Sequence, residues 1–480
     1  MIFNSFAFAI FLPLVFAAHW GLQWVMPNSR TRFQNIVIII ASCVFYGWWD
    51  VRFLSLILLS TVLDFTIGLL LDREPRQARR RTLIRLSVVL NVAILAVFKY
   101  FNFFLDSFVV FVDAFGFQAN VPTLQIILPL GISFYTFHNL SYTIDVYHDK
   151  LKATRDPLAF FAFVIFFPQL VAGPIARAAK LLPQFYESRV FVPQAAIEGF
   201  RQALWGMAKK VVVADNLAPH VNTIFRNYES MDGVLLAWGA VLFTIQLYCD
   251  FSGYSDIAIG TAKLFGINLS TNFRYPFFST NIADFWRRWH ISLSTWFRDF
   301  IYVPLGGRVL SRIVTARNVM VTFCISGLWH GAAWKFVVWG FLHGAYYLVW
   351  LLVRPNRAAP AEEPRFRLVP APTELIAMAT TFALVTVAFV FFRAESLTHA
   401  YQYLLRGVTH PFEPIEARHG AALAYVFPMM AIEWIQRQRV HGLDVHHMPV
   451  PVRWSLYLLT ALAVLEFGNF GEVEFIYFQF

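Results

Sequence analysis

Charge is what this sequence has least of. Of its 480 residues only 14% are charged, against 58% hydrophobic. A soluble chain needs about a quarter of its residues charged to cover its surface, so most of this one must face lipid. Disorder, a coiled coil and an ordinary soluble enzyme are excluded. Cysteine is almost absent. Cys43, Cys249 and Cys324 all lie in apolar stretches, without the close pairs of a zinc site or the density of a disulfide scaffold, and read as buried structural thiols. No P-loop, dinucleotide fingerprint, nucleophilic-serine elbow or metal-helix motif occurs. The opening segment lacks the basic residues and small-residue cleavage site of a signal peptide. There is no internal repeat, so an inverted-repeat transporter has no positive support. Conventional loops are scarce too: the one long polar stretch is 354–372, rich in proline.

What fills the chain is apolar runs, at 6–25, 35–49, 53–71, 83–98, 103–115, 126–142, 158–172, 195–214 and 234–265, then at 319–333, 336–353, 375–392, 421–434 and 454–467. A crossing takes about 20 residues and several runs fall short, which predicts about 10–12 crossings plus re-entrant or interfacial pieces. Lys+Arg is 39 against Asp+Glu 29, a net of +10. The basic residues sit in short runs between apolar segments, as in cytoplasmic loops, and form no patch for nucleic acid. Arg73, Arg76, Arg79, Arg80, Arg81 and Arg85 follow the third run, and Arg30 and Arg32 follow the first. The positive-inside rule makes that side the cytoplasm and places Met1 outside. A strict count then puts Lys150, Lys152 and Arg155 outside, so past Lys150 the alternation is ambiguous and at least one segment there does not span.

Polar groups inside apolar sequence are expensive and default to functional candidates. They concentrate between Asp250 and His343: Asp250-Phe-Ser-Gly-Tyr-Ser-Asp256, Asp284-Phe-Trp-Arg-Arg-Trp-His290, Trp296-Phe-Arg-Asp299 and Gly327-Leu-Trp-His-Gly331. Read as one helix, 284–300 puts Trp286, Trp289, Leu293, Trp296, Phe297 and Phe300 on one face. Asp284, Arg287, Arg288, Ser294, Thr295, Arg298 and Asp299 fall on the other. That pattern predicts an amphipathic helix lying flat, its tryptophans at headgroup depth. His290 sits at the edge of the apolar face, as a satisfied core histidine or a working one. His330 ends a mainly apolar run between Gly327 and Gly331. It is either hydrogen-bonded to a neighbouring helix or a general base for acyl transfer to a hydroxyl. Lys209 and Lys210 read as interfacial anchors, the 168–174 segment as a helix break at depth, and His446-His447 as a solvated turn.

The stretch Asp284 to Asp299, continuing through Tyr302-Val-Pro-Leu-Gly-Gly307, resembles the signature of the membrane-bound O-acyltransferases. Gly327-Leu-Trp-His-Gly-Ala-Ala-Trp334 resembles that family's second signature. Met1-Ile-Phe-Asn-Ser-Phe6, Pro129 to Phe137, Phe167 to Ile175 and the terminal Phe475-Ile-Tyr-Phe-Gln-Phe480 are similar to its bacterial alginate O-acetylation branch. The resemblance covers essentially the whole chain and implies an all-α polytopic transmembrane bundle forming one acyltransferase domain over 1–480. It implies acetyl-CoA as acyl donor, no metal, and transfer across the inner membrane to periplasmic acetyltransferase partner proteins that modify an exopolysaccharide. His330 and His290 are implied as catalytic. Trp286, Trp289, Trp329, Asp250 and Asp256 are expected to line or support the substrate channel, and Arg287, Arg288 and Arg298 to contact the anionic donor. Peptidoglycan or cellulose acetylation, or a transporter or scaffold of a secretion complex, are the alternatives.

Overall fold

A computed structural model describes residues 1–25, 29–117, 127–307, 311–353, 367–410, 420–471 and 475–476. All regular structure among them is helical. Residues 354–366 of the proline-rich stretch, and 477–480 of the terminal motif, lie outside the described residues. The chain packs as two compact units, 1–200 with 258–270, and 201–257 with 271–480. These are units of packing, whereas the single acyltransferase domain expected over 1–480 is a unit of function.

The first unit opens with α1 (Phe6–Val25), α2 (Arg30–Gly47) and α3 (Arg52–Arg73). The runs expected as separate segments at 83–98 and 103–115 form one helix instead, α4 (Gln77–Asp113), of 37 residues. No glycine or proline stands between them, and a π-helical turn at Ala96–Tyr100 absorbs the irregularity without ending the helix. Then come α5 (Ile132–Tyr147), which packs on α3 and α4, and α6 (Pro157–Ile165), buried along most of its length.

Hydrogen bonds fix which turns of this unit share an end. The Met1 ammonium donates to the Phe45 carbonyl at 3.1 Å and the Tyr46 hydroxyl to the Leu130 carbonyl at 2.9 Å. Met1, the end of α2 and the turn before α5 therefore lie together. At another place Arg80 donates to the Tyr147 carbonyl at 2.8 Å and pairs with Asp149 at 2.8 Å. The first turn of α4, within the basic run, and the turn after α5 thus lie together too. With α4 counted once, Lys150, Lys152 and Arg155 return to the side of the arginine run. The conflict in the strict count came from splitting one helix into two.

The second unit contains the last part of α7 (Pro193–Met207) and most of α8 (Gly233–Leu264). It goes on through α9 (Ile282–Arg288), α10 (Ile291–Phe297), α11 (Arg312–His330), α12 (Trp334–Val353), α13 (Pro372–Arg393), α14 (Leu423–Ile435) and α15 (Val450–Phe467). Its core is aromatic and aliphatic, with Trp289, Trp339, Phe285 and Phe389 at its centre. The hairpin α11–α12 is tightly packed. A Cβ on Gly327 would collide with the Phe336 carbonyl, and one on Gly340 with the Phe323 carbonyl. Only glycine lets these backbones touch.

By length and composition six described helices can cross a membrane: α3, α4, α8, α12, α13 and α15. Two shorter apolar ones, Phe6–Gly21 and Leu423–Ile435, accompany them. On α15 Leu458, Leu459, Leu462 and Leu465 are all exposed, and on α4 Phe104, Phe108 and Phe111 are. Exposure of that kind on successive turns has its solvent in lipid.

Candidate functional site

The flat amphipathic helix expected over 284–300 is not formed. The chain makes two short helices, α9 and α10, with a corner at Trp289–His290, where His290 has φ 42° and ψ 54°. A left-handed conformation costs a non-glycine residue about 1–2 kcal/mol, so something must hold it. The segment 272–274 does. The Arg274 amide donates to the Arg288 carbonyl at 2.9 Å, and the Ile291 amide donates to the Asn272 carbonyl at 2.9 Å. The corner turns the tryptophans inward. Trp289 and Trp296 are buried and Trp286 is half-buried, so they are core residues. Helical periodicity overlooked the corner because its partner segment lies outside the window.

His290 is fully buried. Its Nδ1 lies 3.1 Å from Asn272 Oδ1, which also accepts from the Ser292 amide at 3.3 Å and the Ser292 hydroxyl at 2.8 Å. An atom accepting from a backbone N–H is an acceptor, so Nδ1 must carry the proton. Nε2 is then the lone-pair nitrogen, and it has no hydrogen-bond partner among the described residues. Asn272 is itself held by donating to the Ser255 hydroxyl at 3.0 Å. Burial pushes the His290 imidazole down to about 3, so near neutral pH it is an uncharged hydrogen-bond acceptor. Phe251 meets the ring edge-on at 4.6 Å.

His330 ends α11, with Gly331 extended beyond it, and is 4% exposed. Packing surrounds it. Its ring centroid lies 4.9 Å from Trp329, 4.9 Å from Trp339 and 5.3 Å from Phe392. Trp329 also meets His290 at 6.0 Å. One indole therefore touches both imidazoles, and the two histidines that the signatures single out share a neighbour.

The other expected residues divide. Asp250 and Asp256 lie on α8 in a buried ionic cluster. Lys209 pairs with Asp256 at 2.7 Å, and Lys210 pairs with Asp250 at 2.7 Å and Asp215 at 2.8 Å. Glu433 lies 3.8 Å from Lys209 and accepts from the Tyr248 hydroxyl at 2.8 Å. Lys209 and Lys210 are thus not interfacial anchors. Both are 3% exposed, drawn in by two carboxylates of α8, Asp250 and Asp256, that stand nearly two turns apart. Gly206 and Gly253 permit the approach, since a Cβ on Gly253 would stand 2.7 Å from the Gly206 carbonyl oxygen. Arg288 pairs with Asp284 at 3.0 Å and is partly exposed. Arg287 and Arg298 are well exposed, each beside a carboxylate, Asp284 and Asp299.

Two residues stand out that the reading of the sequence gave no role. Asn272 sets the tautomer of His290, and only its position in an unhelical stretch before a proline hinted at it. His343, on α12, is fully buried, packed against Trp286 at 5.0 Å and Trp339 at 4.8 Å. Neither of its ring nitrogens has a hydrogen-bond partner among the described residues. No group of three or more His, Cys, Asp or Glu side chains among the described residues is arranged to hold a metal.

The sequence profile of the membrane-bound O-acyltransferase family matches residues 45–378, which include both histidines. The chain belongs to that family. It is 41% identical over 407 residues to a protein of Azotobacter vinelandii named "probable alginate O-acetylase AlgI", covering 84% of this chain and 77% of the relative. The protein of the same name in Pseudomonas aeruginosa is 41% identical over 406 residues, 84% of this chain and 74% of the relative. A peptidoglycan O-acetyltransferase of Helicobacter pylori is 34% identical over 433 residues, covering 84% and 79%. The chain is a multi-pass membrane O-acyltransferase.

Proposed function

We propose that this acyltransferase takes acetyl groups from acetyl-CoA on the cytoplasmic side of a bacterial inner membrane. It passes them across to periplasmic acetyltransferase partners for O-acetylation of an exopolysaccharide, with alginate as the first candidate. The relatives' names support the acetyl group and the polymer. The 34% identity to a peptidoglycan O-acetyltransferase supports a second acceptor, peptidoglycan. The arginine run at 73–85, tied by Arg80 to the turn after α5, supports a cytoplasmic side for both turns and an outer side for Met1.

The observation that carries the chemistry is the pair of buried imidazoles on one indole, His330 at 4.9 Å and His290 at 6.0 Å from Trp329. A thioester is already activated, while a hydroxyl is a poor nucleophile until its proton is removed. In this reading His330 takes that proton as the acceptor oxygen attacks the acetyl carbon. The C–O bond forms, the C–S bond breaks, and the proton passes from the imidazole to the leaving thiolate. His290 stays neutral and accepts at Nε2 from a second N–H or O–H group of the acceptor, orienting it. Trp329, Trp286 and Trp289 exclude water. The Asp250 and Asp256 ion pairs hold α8 against the π-helical Ala208–Ala214. The exposed guanidiniums of Arg287 and Arg298, with Arg288, offer contacts to the phosphates of the donor.

The test pairs two measurements on purified His330→Ala protein: acetyl transfer to the acceptor, and binding of acetyl-CoA. Loss of transfer with binding kept is the expected result. Persistent transfer removes His330 from the mechanism, and joint loss makes it a donor-site or folding residue. Mass spectrometry of alginate and peptidoglycan from a deletion strain decides the acceptor.

A further inference from the structure

Among the described residues of the first unit, one deeply buried carboxyl has no cationic partner. Asp64 lies on α3, roughly 18 Å along the helix axis from its Arg52 end, and is 1% exposed. Its Oδ1 accepts from the Ser87 hydroxyl of α4 at 2.6 Å and its Oδ2 from the Asn91 amide nitrogen at 2.8 Å. No Lys, Arg or His pairs with it among the described residues. A lone carboxylate at that depth of an apolar helix is costly unless a positive charge joins it.

Counting hydrogens shows where that charge would sit. The one hydroxyl hydrogen of Ser87 goes to Asp64. Both Asn91 amide hydrogens are committed, one to Asp64 and one to the Ser87 carbonyl at 3.0 Å. Thr143 of α5 lies 3.0 Å from the Ser87 oxygen, and its one hydroxyl hydrogen is shared between that oxygen and the Asn139 and Leu140 carbonyls at 3.3 Å, so it brings none to Asp64. The Ser60 hydroxyl donates to Ile57 and accepts from the Asn139 amide at 3.3 Å. Oxygens are left over. Asn91 Oδ1 and Asn139 Oδ1 are buried and have no hydrogen-bond partner among the described residues, and each carboxylate oxygen of Asp64 receives a single hydrogen bond. Asn91 and Asn139 are themselves buried, at 3% and 0% exposed. The cluster has an excess of acceptors over donors, with one net negative charge.

We propose that the oxygens of Asp64, Asn91 and Asn139, on α3, α4 and α5, form a binding site for one small monovalent cation, sodium or a proton. Hard, oxygen-only ligation with one carboxylate suits either. The site is separate from the histidine pair, which lies in the other unit, and does not depend on the acceptor assigned above. The titratable groups on the neighbouring helices are Arg30, Arg32, Cys43 and Tyr46 on α2, Arg79, Arg80, Arg81, Arg85, Lys99, Tyr100, Asp106 and Asp113 on α4, and Tyr135, His138, Tyr142, Asp145 and Tyr147 on α5, while α6 carries none. Among them Tyr142 is in electrostatic reach of Asp64, and it brings no positive charge.

The experiment is thermal unfolding of the purified full-length protein, wild type against Asp64→Asn, which keeps the side-chain shape. Sodium chloride is titrated against choline chloride at constant ionic strength, and pH is scanned from about 5 to about 9 without sodium. If sodium is the ligand, wild-type Tm rises saturably by a few degrees and Asp64→Asn does not respond. If a proton is the ligand, sodium has no effect, wild-type Tm falls as pH is raised, and Asp64→Asn flattens that slope. Identical responses of the two proteins to both titrations overturn the proposal. Asn139→Asp is the second variant. A second carboxylate lowers the sodium concentration for half-effect by about tenfold, or steepens the pH slope, if the site exists. A variant that is less stable but unchanged in both responses overturns it as well.

Discussion

The two histidines of the second unit are held by different physics. His290 stands at a backbone corner, its ring orientation and tautomer set by hydrogen bonds from a neighbouring segment. His330 stands at the end of a long helix, and packing against Trp329, Trp339 and Phe392 places it. A ring fixed by hydrogen bonds presents one defined nitrogen in one direction. A ring seated among aromatic walls is held by contacts that leave its ring nitrogens to the chemistry. The first suits an unchanging hydrogen-bond acceptor, and the second suits a group that must gain and lose a proton. The two should therefore fail in different ways when altered.

The largest effect is expected at His330. Removing a general base typically costs about 10²–10⁴ in rate, and His330→Ala is expected to lose that much transfer while Tm changes little. His330→Asn should not rescue, because an amide cannot take the proton. Near wild-type turnover in either variant would dissolve the contrast.

His290 is expected to be graded. His290→Asn keeps a side-chain acceptor and a residue type that tolerates the left-handed corner, and about tenfold loss is anticipated. His290→Leu loses the acceptor and adds about 1–2 kcal/mol of backbone strain, so activity and Tm should both fall. His290→Gly separates the two, since it relieves the corner and removes the imidazole. Tm at or above wild type with activity as low as in the leucine variant is the expected outcome. Full activity in the glycine variant would make His290 a corner residue and nothing more.

Packing at the His330 seat can be tested through stability. The Cβ of Gly327→Ala meets the Phe336 carbonyl, so the α11–α12 hairpin must part, at about 1–3 kcal/mol. Gly21, in α1, has nothing within 4 Å of its added Cβ, and Gly21→Ala should hold or raise Tm. Equal Tm changes in the two variants would show that the hairpin is not tight.

Much of this was legible in the sequence, because lipid solvent writes itself into composition. The 6–25 run became α1 at the same residues, and most other runs have a helix over their centre. The sequence marked both histidines as candidates and Trp329 beside His330, but the rings around His290 are Phe251, Phe273 and Trp329. What could not be read was tertiary. The corner at His290 depends on Asn272, far outside any helical window. The long α4 depends on a π-turn that no residue type announces. The inward course of Lys209 and Lys210 depends on carboxylates on another helix, where periodicity alone sees only basic residues near an apolar run. Asp64, a lone acidic residue in the 53–71 run, was passed over because its partners are hydroxyls and amides scattered over three helices.

The smallest effect, and the most specific, is expected at Asn272. It touches His290 through one oxygen, and that oxygen is why the proton sits on Nδ1. In Asn272→Ala the imidazole loses its anchor, both tautomers become available, and a fraction of molecules presents an N–H where a lone pair is needed. Partners that orient a metal-ligating histidine are typically worth about 10–100-fold, and the same orienting role sets the scale here. The lower end is expected here, because the Phe251 contact and the backbone bonds of Arg274 and Ile291 remain. The loss should fall on turnover, with the KM for acetyl-CoA unchanged, since Asn272 is buried and has no way to touch the donor. Asn272→Asp keeps an acceptor at the same place and should restore most of the rate. If alanine and aspartate variants are equally impaired and equally folded, the tautomer argument fails. His290 would then owe its position to the corner alone, and the difference drawn between the two histidines would reduce to one of backbone against packing.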